Sequence, residues 1–287
     1  MRITRLETRI VEIPVSSPYA FSHGVLRAFS NVLVWMHSDG GLVGVGESSF
    51  VPGGGVSEET PESTQAMIDH SLAAVLIGED PFDVERLHQK MDAVVPRNLV
   101  AKCGIDLALW DLMGKALGQP AYKLLGGSFD PRILCTYTLS LDAPEQMAEQ
   151  AAFRKRQGYK TLVVKIGRDS AADLQRLALV REAVGDEINL RLDANEAYWP
   201  EQAIGIIRRM EKYHPEFVEE PVKRWDLNGM AKVARAVGVP ISSDESNTSL
   251  ESVLKIIQTG AAGILNIKIS KNGGLTRSKK IAALAEA

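Results

Sequence analysis

The chain has 287 residues, 45% of them hydrophobic and 24% charged, which allows a large core in one large domain or two. Its formal net charge is −3 and no basic block stands out, so nucleic acid is not an expected partner. No signal peptide or membrane span is expected, because no long apolar run is present. The two cysteines, Cys103 and Cys135, lack metal-ligand spacing, and so small a number of cysteines favours a cytoplasmic protein.

The first part of the chain predicts an α+β domain over residues 1–125. Alternating apolar and polar residues predict its strands, and a turn at Asp39-Gly40 joins the second strand to the third. Apolar residues at helical spacing predict three helices, the last of which can end at Gly118. The predicted strands cover 3–14, 31–37 and 42–48, and the predicted helices cover 60–76, 82–94 and 99–118.

Two polar segments of this domain, at about 16–30 and 48–60, predict long loops. Loops of that length in a compact domain are often lids over a functional site, and ordinary surface loops are the alternative. Tyr19, Phe21 and His23 in the first loop are candidate substrate contacts. A simple surface position is the alternative for His23.

A repeat organises the rest of the chain. Five short apolar runs each end in a charged residue, and the steps between those charges are 28, 26, 25 and 24 residues. A strand, a helix and two loops take up about that much chain, so the repeat predicts consecutive βα units. Charges at the carboxyl ends of successive parallel strands are how a βα barrel builds an active site. The five charges are Lys165, Asp193, Glu219, Asp244 and Lys268.

These units predict an α/β fold, with residues 126–287 forming part of a TIM-type (β/α) barrel. A further strand and helix begin at residue 133, with Asp142 as a candidate helix N-cap, which brings the number of units to six. A closed barrel needs eight such units in roughly 250 residues. Because an open six-stranded edge invites aggregation, we expect a C-terminally truncated chain rather than an incomplete barrel.

Three carboxylates, Asp193, Glu219 and Asp244, stand at the ends of neighbouring predicted strands. Carboxylates held close together repel one another, and a divalent cation removes that repulsion. Ligation by oxygen alone favours Mg²⁺, with Mn²⁺ as a substitute, and leaves coordination positions for the oxygens of a substrate. An N-cap or a loop salt bridge would explain any one of these acids, but three in phase with the repeat favour a metal site.

Lys165 and Lys268 stand on either side of the acids in the series. A desolvated lysine can act as a base, so two lysines facing one carbon could remove a proton from one face and return it on the other. A cation on the substrate carboxylate would stabilise the resulting enediolate. A solvated charge or a phosphate contact is the alternative for a single lysine. Asn195, Glu245 and Asn266 are expected to orient the site through hydrogen bonds, with Asn266 on the strand face of Lys268.

Several motifs together resemble the enolase superfamily, and specifically its mandelate racemase/muconate lactonizing enzyme family. They are GIDLALWDLMGKALGQPAYKLLGG, LDAN, VEEP, SDES and NIKISKNGG, in that order along the chain. The resemblance covers the whole chain and implies that Asp193, Glu219 and Asp244 bind Mg²⁺. It also implies that Lys165 and Lys268 are the acid/base pair, since sites of the superfamily use a lysine or histidine base together with Mg²⁺. The N-terminal domain would then be a cap whose two loops close over a small carboxylate substrate.

A lysine at position 268 resembles the muconate lactonizing group of this family rather than the mandelate racemase group, which uses a histidine with an aspartate. The group includes cycloisomerases, dipeptide epimerases, N-acylamino acid racemases, o-succinylbenzoate synthases and enzymes of proline derivatives. The family often has Lys-x-Lys on the strand of Lys165, whereas Val163 takes the first position here. This single lysine and the loop YAFSHG resemble the hydroxyproline and betaine-type members.

We therefore expect a Mg²⁺-dependent racemase or epimerase of an amino-acid or proline derivative. A hydroxyproline dehydratase or a muconate cycloisomerase would use the same kind of intermediate. A non-catalytic barrel fragment that binds a metal or a carboxylate is the alternative from another class, but it leaves both lysines without a purpose. Family members are commonly dimers or octamers, so the resemblance also implies a homo-oligomer.

Overall fold

The computed structural model describes residues 1–21, 24–50, 58–128, 130 and 132–287. Contacts divide the chain into two compact units. The first consists of Met1–Ser17, Leu26–Pro131 and Lys268–Ala283, and the second of Pro18–Val25, Arg132–Ile267 and Leu284–Ala287. Among the helices of the described residues, none is long and apolar enough to cross a membrane. A domain boundary near residue 125 stays a prediction.

A three-stranded sheet begins the chain. Its strands, hydrogen-bonded in chain order, are β1 (Ile3–Phe21), β2 (Gly24–Ser38) and β3 (Val43–Ser48). β2 and β3 run antiparallel, as the predicted hairpin requires. The prediction of a loop over 16–30 was wrong, because residues 16–21 lie in β1 and residues 24–30 in β2. Exposed positions such as Ser16 and Val25 break the apolar alternation from which a strand is predicted.

The three helices predicted after the sheet are confirmed. The last of them is capped by Gly118, whose φ of +62° is a left-handed conformation that glycine adopts without strain. Residues 51–57 of the second predicted loop lie outside the described residues. The helices of this part of the chain are α1 (Pro61–Met67), α2 (Ala73–Leu76), α3 (Val84–Val94), α4 (Leu99–Leu117) and α5 (Ala121–Leu124), and a π-helical turn (Ile68–Leu72) joins α1 to α2.

The core of the first unit forms where β3 packs against α4. Two glycines of β3 allow this packing, since a Cβ at Gly46 would lie 1.9 Å from the carbonyl oxygen of Gly104, and one at Gly44 would lie 2.1 Å from that of Ala108. The strand therefore lies almost in contact with the helix backbone. Around this contact the core contains Ile3, Val34, Met36, Ile105, Leu109 and Leu112, among others.

The second unit is built on six parallel strands joined in sequential order. This confirms an α/β fold with a parallel sheet, while closure of the sheet into a barrel stays a prediction. The strands are β4 (Tyr137–Leu139), β5 (Thr161–Lys165), β6 (Asn189–Asp193), β7 (Pro215–Glu219), β8 (Ile241–Ser243) and β9 (Ile264–Leu265). The helices that follow the first five strands are α6 (Pro144–Arg156), α7 (Ser170–Val184), α8 (Pro200–Met210), α9 (Leu227–Ala236) and α10 (Leu250–Thr259). The helix that follows β9 is α11 (Leu275–Glu286), most of which belongs to the first unit.

Alternation along β5 separates the two faces of this sheet. Leu162 and Val164 are fully buried in the core formed with the helices, whereas Val163 and Lys165 keep some exposed surface. Successive side chains of a strand point to opposite faces, so Val163 and Lys165 share the face away from that core. At β5, the charge that ends the strand therefore lies on the face away from the core that the helices cover.

Two details of the predicted repeat were wrong. Helix α6 is capped at Ala143, and the Asp142 carboxylate accepts a hydrogen bond from the Ala143 N–H instead of capping the helix. β9 has only two residues, so Asn266 and Lys268 lie after the strand and do not share a strand face. Pro144 explains the first difference. Its ring fixes φ at a value suited to the first helical position, so the helix begins at Pro144 and its N-cap is Ala143, one residue after Asp142.

The close packing of β3 on α4 predicts the effect of a single methyl group. Gly46→Ala should lower the free energy of unfolding by about 1–3 kcal/mol, because the added Cβ overlaps the backbone of α4 and the strand must shift. Thermal and urea unfolding of the purified protein would measure this.

Gly40→Ala in the turn of the same hairpin is the matched control, since its Cβ would meet nothing closer than 3.9 Å. Its effect should stay within about 0.5 kcal/mol. Equal stability of the two variants would contradict the packing described for β3.

Candidate active site

Strand register aligns the first three charges of the repeat. Lys165 of β5 pairs with Asp193 of β6, and Asp193 pairs with Glu219 of β7. Because paired residues of parallel strands lie side by side, the three groups form a row at the carboxyl end of the sheet. Glu219 pairs in turn with Ser242, so Asp244 follows two residues later, just after β8 ends.

Five acidic residues at the ends of β6, β7 and β8 are almost completely buried. A buried carboxylate is unfavourable unless hydrogen bonds or cations compensate it, so such a concentration needs an explanation beyond folding. The exposed fractions are 5% for Asp193, 8% for Glu219, 0% for Glu220, 0% for Asp244 and 3% for Glu245.

A chain of hydrogen bonds links Lys165 to the loop after β8. Its Nζ donates to Asp193 Oδ2 at 2.5 Å and to Asn195 Oδ1 at 2.6 Å. The Asn195 side-chain amide donates in turn to Glu245 Oε1 at 2.9 Å, and its backbone N–H donates to Asp193 Oδ1 at 3.0 Å. Asn195 therefore bonds to Lys165, Asp193 and Glu245, while the supporting role expected for Asn195 and Glu245 stays a prediction.

Asn266 bonds to Glu219 much as Asn195 bonds to Glu245. Its side-chain amide donates to Glu219 Oε1 at 3.1 Å, and its backbone N–H donates to the carbonyl of Ser243 at 2.8 Å. Asn247 supports both segments, since its side-chain amide bonds to the carbonyls of Ser243 and Asn266. Asn266 thus contacts Glu219 from a position beyond the strand, and its role in orienting the site stays a prediction.

Two oxygens of these five acids, Glu220 Oε1 and Glu245 Oε2, are buried and accept no hydrogen bond. Burial raises the pKa of Glu245, and the nearby charges of Asp244 and Asp193 raise it further. The donor set of carboxylate oxygens could hold a hard divalent cation. Among the described residues, no group of three such side chains is close enough together to bind one ion. Beside Asp193, the positive charge comes from the Lys165 ammonium.

The loops that follow β6 and β7 have unusual backbone conformations. Asn195, Glu196 and Glu220 have positive φ angles of +43°, +65° and +37° although none is glycine. Such residues persist only where the surroundings fix them, and they concentrate at functional sites. The Glu196 carboxylate illustrates this, because it binds the Arg224 guanidinium through both oxygens, at 3.0 and 2.7 Å, and accepts the Arg224 backbone N–H at 2.6 Å.

Lys268, His23, Tyr19 and Phe21 are the other predicted site residues. Lys268 follows β9 in the first compact unit, where its backbone carbonyl accepts the Asn272 N–H at 3.0 Å. His23 lies outside the described residues. Tyr19 and Phe21 belong to β1, and their side chains are outside the described part of the structure.

A buried acid that the sequence did not reveal supports the loop after Lys165. Asp173 Oδ2 accepts the Gly167 N–H at 2.8 Å and the Tyr198 hydroxyl at 3.1 Å, and Oδ1 accepts Arg176 at 2.8 Å. Burial raises the pKa of Asp173, and these bonds oppose that shift. Asp173 thereby ties the loop after β5 to the loop after β6. An acid in the first turn of a helix is too common to have identified it.

Models of known families match most of the chain. Residues 5–126 match the N-terminal domain of mandelate racemase and muconate lactonizing enzyme, and residues 146–287 match the enolase C-terminal domain-like family. This chain belongs to the mandelate racemase/muconate lactonizing enzyme family. The predicted resemblance to the enolase superfamily is therefore confirmed, and so is a fold with a capping domain.

Individual members of this family resemble the whole chain. A dipeptide epimerase from Enterococcus faecalis, solved with Mg and the dipeptide L-Leu-L-Tyr, is 35% identical with a TM-score of 0.95, and the match covers 100% of this chain and 80% of that one. An N-succinyl-L-Arg/Lys racemase from Bacillus cereus is 34% identical over 100% of this chain and 77% of its own length. A chloromuconate cycloisomerase from Delftia acidovorans is 34% identical over 100% and 78%.

These relatives fix the class of the protein. This family member is an enzyme of the class that includes racemases, epimerases and cycloisomerases. The predicted class is therefore confirmed, and it includes both the main prediction and the cycloisomerase alternative. The binding of Mg by a similar enzyme agrees with the predicted cofactor.

The contacts of Asp173 predict a large loss of stability when its carboxylate is removed. Asp173→Ala should lower the free energy of unfolding by about 3–5 kcal/mol, because Arg176 loses its partner in a site where its side chain is only 11% exposed. Urea unfolding followed by circular dichroism would measure the change.

Asp169→Ala is the matched control in the same helix. Asp169 is the N-cap of α7 and accepts the Ala172 N–H at 2.8 Å, so its replacement should cost about 1 kcal/mol. If Asp173→Ala cost no more than Asp169→Ala, the role of Asp173 between the two loops would be wrong.

Proposed function

We propose that this enzyme removes the α-proton of a carboxylate substrate with the help of Mg²⁺ and returns a proton to the opposite face, as a racemase or epimerase of an N-acylated amino acid such as a dipeptide. The observation that carries the proposal is the row of Lys165, Asp193 and Glu219 across three adjacent strand ends. It puts a candidate base beside a group of buried carboxylates.

Asp193, Glu219 and Asp244 are the residues proposed to hold the cation. They offer oxygens only, from three successive strand ends, and Glu245 Oε2 adds a buried oxygen without a hydrogen bond. Such a donor set fits Mg²⁺, and Mn²⁺ is expected to substitute. Bound Mg²⁺ supplies positive charge to the substrate carboxylate and so lowers the free energy needed to remove the α-proton.

Lys165 is proposed as one of the two acid/base groups and Lys268 as the other. Lys165 is 12% exposed at its side chain and is held by Asp193 and Asn195, so its Nζ keeps one position and little water reaches it. A base that is fixed in place and poorly solvated is suited to proton transfer at carbon. The role of Lys268 is supported by its position in the repeat and by the family resemblance of the motif around it.

The substrate class is proposed from the relatives. The dipeptide epimerase and the N-succinyl-L-Arg/Lys racemase are named for substrates with an acylated amino group or an amide beside the α-carbon. A cycloisomerase is the second candidate, because the Delftia relative is as similar as the racemase. A proline derivative, suggested by Val163 in place of a lysine, stays a prediction. We further propose that the six βα units belong to a TIM-type barrel with the site at its carboxyl-terminal face.

Removing one carboxylate should weaken cation binding. Asp193→Asn and Asp244→Asn should each raise the Mg²⁺ dissociation constant more than about tenfold, because even residues that only support metal ligands contribute about 10–100-fold. Isothermal titration calorimetry of metal-free protein with MgCl₂ would measure this.

Asp226→Asn is the matched control for both variants. Asp226 follows β7 but caps α9, where its Oδ1 accepts the Gly229 N–H at 2.8 Å, so Mg²⁺ affinity should not change. Mg²⁺ affinities indistinguishable across all three variants would refute the proposed ligands.

The two-base mechanism predicts a specific pattern of solvent exchange. With Mg²⁺ in heavy water, the enzyme should place deuterium at the α-carbon of both epimers of a suitable dipeptide or N-acylamino acid. Lys165→Ala and Lys268→Ala should each lose epimerisation by about 10²–10⁴-fold, while each still exchanges the one epimer whose proton faces the remaining lysine. Nuclear magnetic resonance of the α-proton distinguishes these outcomes.

Lys160→Ala is the control for this experiment, since Lys160 is an exposed lysine that directly precedes β5, the strand of Lys165. Its exchange rate should equal that of the unmodified enzyme. Uptake that persists unchanged for both epimers in both site variants would exclude the two-base mechanism. A panel with dipeptides, N-succinylamino acids, proline betaines and muconate identifies the substrate.

A further inference from the structure

Glu220 is a buried acid whose position in the fold sets it apart from its neighbour Glu219. It follows the last residue of β7 and is fully buried, with a left-handed φ of +37°. Its backbone continues the sheet, because its N–H donates to the Ser242 carbonyl at 2.9 Å and its carbonyl accepts the Glu196 N–H at 2.8 Å. Its carboxylate accepts the Asp244 N–H, whereas that of Glu219 accepts the Asn266 amide, so the two neighbours have different partners.

The Glu220 carboxylate holds the backbone that carries Asp244. Its Oε2 accepts the Asp244 N–H at 2.7 Å, the Ser246 N–H at 3.2 Å and the Ser246 hydroxyl at 2.9 Å. Three donors from one short segment of chain therefore converge on one oxygen. Its other oxygen, Oε1, is buried and accepts no hydrogen bond.

Regular strand pairing stops just before Asp244. β8 ends at Ser243, whose register partner is Leu265 at the end of β9, so the pairing of parallel strands stops one residue before Asp244. Beyond that point the Asp244 carbonyl accepts the Asn247 N–H at 3.1 Å in a turn. The Glu220 carboxylate thus takes the place that a strand neighbour would have, on the amide of the residue whose side chain belongs to the site.

We infer that Glu220 is a positioning residue, which fixes the main chain of Asp244–Ser246 and so sets the place of the Asp244 carboxylate relative to Asp193 and Glu219. The inference rests on the proposed function, because it matters to activity only if those three acids hold a cation. Glu220 touches neither the substrate nor the cation in this role. Its carboxylate serves the metal site by holding the loop after β8.

Glu220→Ala should raise the Mg²⁺ dissociation constant about 10–100-fold, the effect typical of removing a partner of a metal ligand. Glu220→Gln should have a smaller effect, because the amide oxygen can still accept the N–H groups of Asp244 and Ser246. Ser246→Ala removes only the hydroxyl donor and should weaken binding by about threefold or less, since one neutral hydrogen bond contributes modestly.

Calorimetric titration with MgCl₂ alone gives the dissociation constants, and circular dichroism with thermal unfolding in EDTA shows whether each variant folds. Saturating Mg²⁺ should restore most of the kcat of Glu220→Gln, because the ligands themselves are intact. Glu216→Ala on the same strand is the control. Glu216 is exposed and pairs with Arg191, so its loss should leave Mg²⁺ affinity unchanged.

A folded Glu220→Ala protein with unchanged Mg²⁺ affinity and only a lower melting temperature would overturn the positioning role. If that variant does not fold, unchanged affinity in both Glu220→Gln and Ser246→Ala would overturn it equally. Weakened binding by Asp244→Asn together with normal binding by the Glu220 variants rejects this inference and leaves the proposed function standing. Normal binding by Asp244→Asn as well rejects the proposed metal site itself.

Discussion

Burial of negative charge at one edge of the parallel sheet is the constraint on which the second unit depends. Transfer of an unpaired carboxylate into the protein interior costs several kcal/mol, so each of these acids must be compensated locally. The compensation described above comes from neighbouring strand ends: Lys165 for Asp193, Asn266 for Glu219, Asn195 for Glu245, and the backbone of the loop after β8 for Glu220. The interactions that stabilise the loops are therefore the same ones that shape the site.

This coupling explains the strained backbone after β6 and β7. A chain that leaves a strand and must bring closely spaced polar side chains to different partners cannot continue in extended conformation. Left-handed residues turn it within one or two positions, and the Glu196–Glu220 hydrogen bond holds the two turns together at 2.8 Å. The unfavourable φ angles are tolerated because several hydrogen bonds fix each turn. Rigid loops of this kind keep charged side chains in one place, which proton transfer requires.

The row of charges could be predicted from the sequence because it depends on regular structure. Strand ends repeat at a nearly constant interval, and parallel register then aligns Lys165, Asp193 and Glu219 without further information. The long β1 and β2 could not be predicted in the same way, because residues 16–30 show no apolar alternation. Asp173 was missed for a different reason. Its partners Gly167 and Tyr198 lie close together in space but in two different loops, so the sequence does not show that they meet. Only tertiary packing distinguishes it from an ordinary helix-start acid.

The two acidic pairs of the repeat, Glu219-Glu220 and Asp244-Glu245, suggest how such sites are built. In each pair one acid lies in the set proposed to hold the cation, and the other bonds to a group of a neighbouring loop. Two adjacent residues at a strand end diverge, so a single short segment can supply both a ligand and its support. An isolated acid at a strand end could be a cap or a surface charge. When both acids of a pair are buried, water cannot solvate them, so groups of the protein or a bound cation must compensate both carboxylates.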